Sequence, residues 1–178
     1  NNMIECGLDY SNYYQIRDYH VNEEKFNEFF SQKGLKFMAN WWNEKLQISG
    51  LFDFQGIMRP TYFMFKMLRK MTGNFVKADS SSESVKIIAT YNPEREVTHL
   101  LIWNFKDKKP QKQKVKLIVK DLNEKNWDYT RYSLNVKTSS NMENDRIVFE
   151  REIKGEISCM EDNFEILPYG IHYVVIHP

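Results

Sequence analysis

One change of hydrophobic period constrains this chain more than any other feature. It falls at a small, polar stretch, Ala78-Asp79-Ser80-Ser81-Ser82-Glu83-Ser84, which offers almost nothing to a core. Before it, apolar residues recur at a mixture of helical and strand spacings; after it, the spacing is mostly that of strands. A chain that switches period once folds as two modules, and the switch predicts domains at 1–78 and 79–178. At 178 residues and 42% hydrophobic content there is enough apolar material for one sizeable core or two small ones.

In the first module, Met3 and Ile4 end a short apolar piece at Glu5, and a loop rich in Tyr, Asn and Asp runs on to Val21. Asn22 is placed to cap a helix over 23–32, in which Phe26, Phe29 and Phe30 share a face and which Gly34 stops. Residues 35–42, ending in Trp41 and Trp42, read as a strand. Pro60 then suits the first turn of a second helix, apolar over a wide face through Tyr62, Phe63, Phe65, Met67, Leu68 and Met71 and ended by Gly73 or Asn74. The order is strand, helix, strand, helix. Two such units cannot close an eight-stranded barrel, so Phe26, Phe29, Phe30, Phe63 and Met67 are expected to lack cover unless the rest of a barrel, a second copy of the chain or a rearrangement of the helices supplies it.

In the second module, 85–91 and 97–105 flank a turn-rich connection and read as a hairpin. Strands are expected again over 115–119, 129–136, 146–153 and 171–177, and six strands with polar turns between them predict an antiparallel sandwich. The basic run from Lys106 to Lys114 reads as a solvated hairpin loop, and Trp103 and Trp127 as core residues.

Several function classes are excluded at this stage. The 25 basic and 24 acidic side chains nearly cancel, so direct nucleic-acid binding and attraction to an anionic membrane are not expected. No run of 18 apolar residues spans a bilayer, the first residues lack the pattern of a signal peptide, and a cytoplasmic location is favoured. Cys6 and Cys159 read as free thiols. His20, His99, His172 and His177 never fall at the spacing that places two imidazoles on one helix face, so neither a catalytic metal nor another cofactor is expected.

The stretch Gly50-Leu51-Phe52-Asp53-Phe54-Gln55-Gly56-Ile57-Met58-Arg59-Pro60, continuing to Leu68, resembles the end of the barrel in family 39 glycoside hydrolases, the β-xylosidase family. Leu167-Pro168-Tyr169-Gly170-Ile171 is similar to the strand that closes the sandwich appended there. The resemblance implies an α+β fragment: the last two βα units of a (β/α)8 barrel followed by an antiparallel β-sandwich. It places Glu5 where the family presents its nucleophile. A retaining glycosidase also needs a second carboxyl about 5 Å away, and the family carries that acid/base upstream of anything in this sequence, so the segment by itself is expected to be non-catalytic. Trp41 and Trp42 fall where the family floors its sugar site with an indole, which packs well against the C–H face of a pyranose.

A saccharide is therefore the expected ligand, and the parent would be a retaining β-glycosidase. The sequence also departs from the family pattern: Ile4 and Cys6 flank Glu5 where the family has Thr and Trp, and only residues 43–49 separate Trp42 from Gly50. These departures point to an alternative parent, an AraC-type transcription regulator that carries a degenerate version of the same barrel and sandwich. A stand-alone carbohydrate-binding sandwich is the third reading.

Overall fold

A computed structural model describes residues 6–8, 11–45, 47, 49–122, 126–139, 147–155 and 158–178. Glu5 lies outside the described residues. The fold is mostly antiparallel sheet with few helices, and its contacts divide the chain into two compact units, Asn1–Tyr62 and Phe63–Pro178. No helix among the described residues is long and apolar enough to cross a membrane.

In the first unit, Asn22 caps a helix as expected, its side chain accepting from the Lys25 amide, but this α1 (Glu23–Phe26) is a single turn. The chain restarts at Ser31, whose Oγ accepts from the Gly34 amide and begins α2 (Gln32–Trp42). This corrects two expectations at once: the helix over 23–32 is shorter, and the strand over 35–42 is a helix. The cap decides the outcome, because Gly34 sits at the third helical position, whose amide the Ser31 side chain takes up, and so opens a helix instead of closing one. Leu35 and Ala39, four residues apart, form the buried stripe.

Residues 15–18 and 51–52 then run parallel, with Leu51 N donating to Gln15 O (3.0 Å), Phe52 N to Ile16 O (2.9 Å) and Asp18 N to Phe52 O (2.9 Å). Helix α2 lies between these two stretches in sequence, and α3 (Pro60–Lys70) follows the second. Proline at its first residue gives α3 a preset φ where no amide partner is needed.

The second unit contains β1 (Asn74–Val76), β2 (Val85–Asn92), β3 (Val97–Asn104), β4 (Gln113–Val119), β5 (Trp127–Leu134), α4 (Val136–Ser139), β6 (Val148–Gly155), β7 (Met160–Ile166) and β8 (Ile171–His177). Six strands form one antiparallel sheet in the order β1-β2-β3-β8-β5-β6, and β4 pairs with β7 in a second. The β2–β3 hairpin has the expected register, Val85 opposite Asn104 through Asn92 opposite Val97. The basic run does not close a hairpin: β3 and β4 belong to different sheets, and the segment between them crosses from one to the other.

Both sheets feed one hydrophobic cluster. The large sheet contributes Val85, Ala89, Leu100, Ile102, Trp127, Tyr129, Val174 and Ile176; the small one contributes Leu117, Met160 and Ile166. On the other face of the large sheet, Tyr132 and Tyr173 share a small cavity with Met67 and Lys70 of α3. Phe63 and Met67, expected to lack cover, are 5% and 2% exposed, whereas Phe29 and Phe30 are 76% and 41% exposed.

Asn104 fastens one end of the unit. Its Nδ2 donates to Gln111 O (2.7 Å), Leu167 O (3.3 Å) and Ile166 O (3.4 Å), its amide donates to Gly170 O (3.0 Å), and its carbonyl accepts from Tyr169 N (2.9 Å).

Candidate functional site

The two tryptophans singled out by the sequence lie at the C-terminal end of α2, not at a strand end. Two side chains fix that end by acting as substitute backbone. Asn43 closes a two-way pair with Val21, accepting from its amide at 2.8 Å and donating to its carbonyl at 2.9 Å. Gln47 does the same for Tyr19, accepting at 2.8 Å and donating at 2.5 Å, and also donates to Trp42 O.

Held this way, Trp42 is half-buried and meets Tyr19 edge to face at 5.7 Å. Trp41 is 50% exposed, with Phe37 stacked beside it at 6.5 Å and the Lys45 ammonium 3.9 Å above its ring. Successive residues on a helix point about 100° apart, so the pair is split: one indole anchors the helix end and the other is offered to solvent. The exposed indole and the phenyl ring beside it form an apolar surface, with the Lys45 ammonium lying over the indole.

A carboxylate that the sequence did not single out organises the same unit. Asp18 is buried, accepts from the Gly50 amide at 2.8 Å through Oδ1, and pairs with Arg59 through Oδ2. Arg59 also donates to Gln47 O at 2.8 Å. Gly50 is required here: a Cβ would come within 2.4 Å of Phe52 O and 2.5 Å of the Asp18 carboxylate. These bonds tie the Asp18 carboxylate to the Gly50 amide and the Arg59 guanidinium.

The second unit holds a buried charge cluster. Asp162 is fully buried; its Oδ2 accepts from Tyr129 OH and Arg131 Nε, each at 2.7 Å, and its Oδ1 accepts from Arg151 at 2.5 Å. Arg131 continues to His172 Nδ1 at 3.1 Å and lies 4.3 Å over the Phe164 ring.

Burial raises the Asp162 carboxyl, but the hydrogen bonds from Tyr129 and Arg131 and the charges of Arg131 and Arg151 outweigh it and hold the group below its ordinary range. Burial, with Arg131 adding to it, pushes His172 down to about 4. Burial and the bond to Asp162 push the Tyr129 hydroxyl far up. Among the described residues the hydrogen-bond partners of the Asp162 carboxylate come from the large sheet, on β5 and β6, while Asp162 itself is on β7. Asp162, Tyr129, Arg131 and His172 are buried while Arg151 reaches the surface, and the cluster ties the two sheets together. Among the described residues no group of His, Cys, Asp or Glu side chains is arranged to hold a metal ion.

No family profile and no curated protein matches this sequence. Solved structures do. The GH39 enzyme from Xanthomonas axonopodis pv. citri matches 72% of this chain and 32% of its own, with a TM-score of 0.62 and 11% identity. A glucosidase from Croceicoccus marinus matches 79% of this chain and 35% of its own, with a TM-score of 0.59 and 11% identity. An alpha-L-arabinofuranosidase from Thermotoga maritima matches 72% of this chain and 32% of its own, with a TM-score of 0.53 and 15% identity. The chain thus has a glycoside hydrolase-like fold and spans about a third of the length of these structures.

Proposed function

We propose that this chain is the C-terminal segment of a family 39-like glycoside hydrolase protein, non-catalytic by itself and with a structural and saccharide-binding role. The observation that carries the reading is the likeness of 72% of the chain to part of the GH39 enzyme, reached at only 11% identity. Two local features support the finer architecture. The parallel contact of 15–18 with 51–52 across α2, followed by α3, has the order of two terminal βα units of a barrel. The two sheets that share one apolar cluster have the arrangement of a β-sandwich. In this reading the remaining barrel units are the natural cover for the exposed Phe29 and Phe30.

The saccharide-binding part rests on Trp41, with Phe37 extending the platform. Titration calorimetry of the chain with xylo-oligosaccharides tests it. Binding heat is expected for the unaltered chain and at least a tenfold loss of affinity for Trp41→Ala, with Trp42→Phe close to unaltered. No heat with any xylo-oligosaccharide removes the saccharide role, and turnover of an aryl β-xyloside by the chain alone removes the non-catalytic one.

A further inference from the structure

The face of the large sheet turned away from the small one carries a row of rings. His99 stacks on Tyr173 at 5.8 Å, and its Nδ1 shares a 2.8 Å hydrogen bond with the Tyr173 hydroxyl. Tyr132 stacks on Tyr173 from the other side at 6.4 Å, and Phe149 meets Tyr132 edge to face at 6.1 Å. Between these rings and α3 lies a cavity of about 60 Å³, lined by Lys66, Met67, Lys70, Tyr132, Ile147 and Tyr173. A single water needs only roughly 10–15 Å³, so there is room for a small molecule.

The polar groups of this lining are of one kind. Two ammonium groups and two phenol hydroxyls can all donate, and no carboxylate is among them. Among the described residues Lys66 and Lys70 form no salt bridge. The Lys70 charge is felt at the sheet, where burial first and Lys70 second hold the His99 imidazole below its ordinary value of 6.5. Burial pushes the Tyr173 hydroxyl up, so it keeps its proton. Within the lining nothing answers the two ammonium charges, and Met67 and Ile147 complete the wall with apolar surface.

We propose that this cavity binds a small monocarboxylate, its oxygens taken by Lys66, Lys70 and the Tyr132 hydroxyl and its alkyl part lying against Met67 and Ile147. A halide or a phosphate leaves the apolar wall uncovered, whereas a carboxylic acid uses both kinds of surface. The site shares no residue with the Trp41 platform, so it stands or falls apart from the saccharide reading.

Sodium acetate is the probe. Added to the chain at pH 7 and constant ionic strength, with chloride as the balancing anion, it should shift the ring NMR signals of Tyr132 and Tyr173. The shifts should saturate in the millimolar range, as suits a ligand of few atoms. Lys70→Met should weaken binding about tenfold and Tyr132→Phe about threefold, with the amide signals of β2 and β3 unaltered. If Lys70→Met disturbs those amides, Lys66→Met and Tyr132→Phe carry the comparison. His99 supplies a second measurement. Bound acetate offsets Lys70, so the His99 titration midpoint should rise with acetate; in Lys70→Met it should start higher and no longer respond. Shifts that grow linearly with acetate, or that saturate equally in Lys70→Met, overturn the site. Saturation by phosphate or chloride at a lower concentration than acetate overturns the proposal in favour of an inorganic anion.

Discussion

The two units are held together by different means. In the second, backbone ladders between strands set the register, and a shared apolar cluster supplies the cohesion, with buried polar networks at Asp162 and Asn104. In the first, few apolar side chains are buried, and the path of the chain is fixed by side chains that substitute for backbone: Asn43 on Val21, Gln47 on Tyr19, and Asp18 with Arg59 on residues 47–50. A ladder tolerates many sequences that keep its alternation, whereas a side-chain clip depends on one residue type at one place. The first unit should therefore be brittle at its polar residues, and the second brittle chiefly at its two buried polar networks, around Asp162 and Asn104.

The sharpest way to break that comparison is Asp162→Ala. It strands the buried Arg131 and should cost about 3–5 kcal/mol in urea unfolding of the sheet unit; a cost near zero would mean that the apolar cluster suffices alone. Next comes acid. His172 is held near 4 in the folded chain against 6.5 ordinarily, so the unfolded chain takes up the proton first. Its contribution is full above pH 6.5 and is lost as pH falls toward 4, roughly 3 kcal/mol in all. His172→Gln should flatten this part of the stability–pH curve. Asp162, whose pKa is depressed, adds a loss only at still lower pH, as its carboxylate takes up a proton.

Asp18→Ala should cost about 2 kcal/mol, from the Gly50 amide and Arg59 left without their acceptor. Hydrogen exchange should show it at residues 15–18 and 50–52, with the β2–β3 ladder unaltered. Smallest is Ser31→Ala, at about 1 kcal/mol, read as faster exchange in the first turn of α2.

Legibility in the sequence follows the same division. β2, β3 and β8 are readable because they are rich in β-branched and aromatic residues, and α3 because Pro60 opens it. β7 escaped notice since Met160, Asp162, Phe164 and Ile166 alternate correctly only if an aspartate is allowed at a core position, and nothing local announces that Arg131 and Tyr129 will meet it. The segment 35–42 suits either period, and the Ser31 cap that settles it lies outside the segment. That error carried over to the site. On a strand Trp41 and Trp42 would face opposite ways, while on a helix they share an end, one packed and one open.

Asn104 separates what lies beyond it from what lies beneath. By joining Gln111 back to the end of β3 it closes the segment 105–110 at its base, so the length of that segment is not what aligns the two sheets. Closure entropy rises slowly with length, each doubling costing only about 0.6 kcal/mol. This lysine-rich loop is therefore the natural place to splice in an epitope, a fluorophore or a whole reporter domain while the sheets beneath keep their alignment.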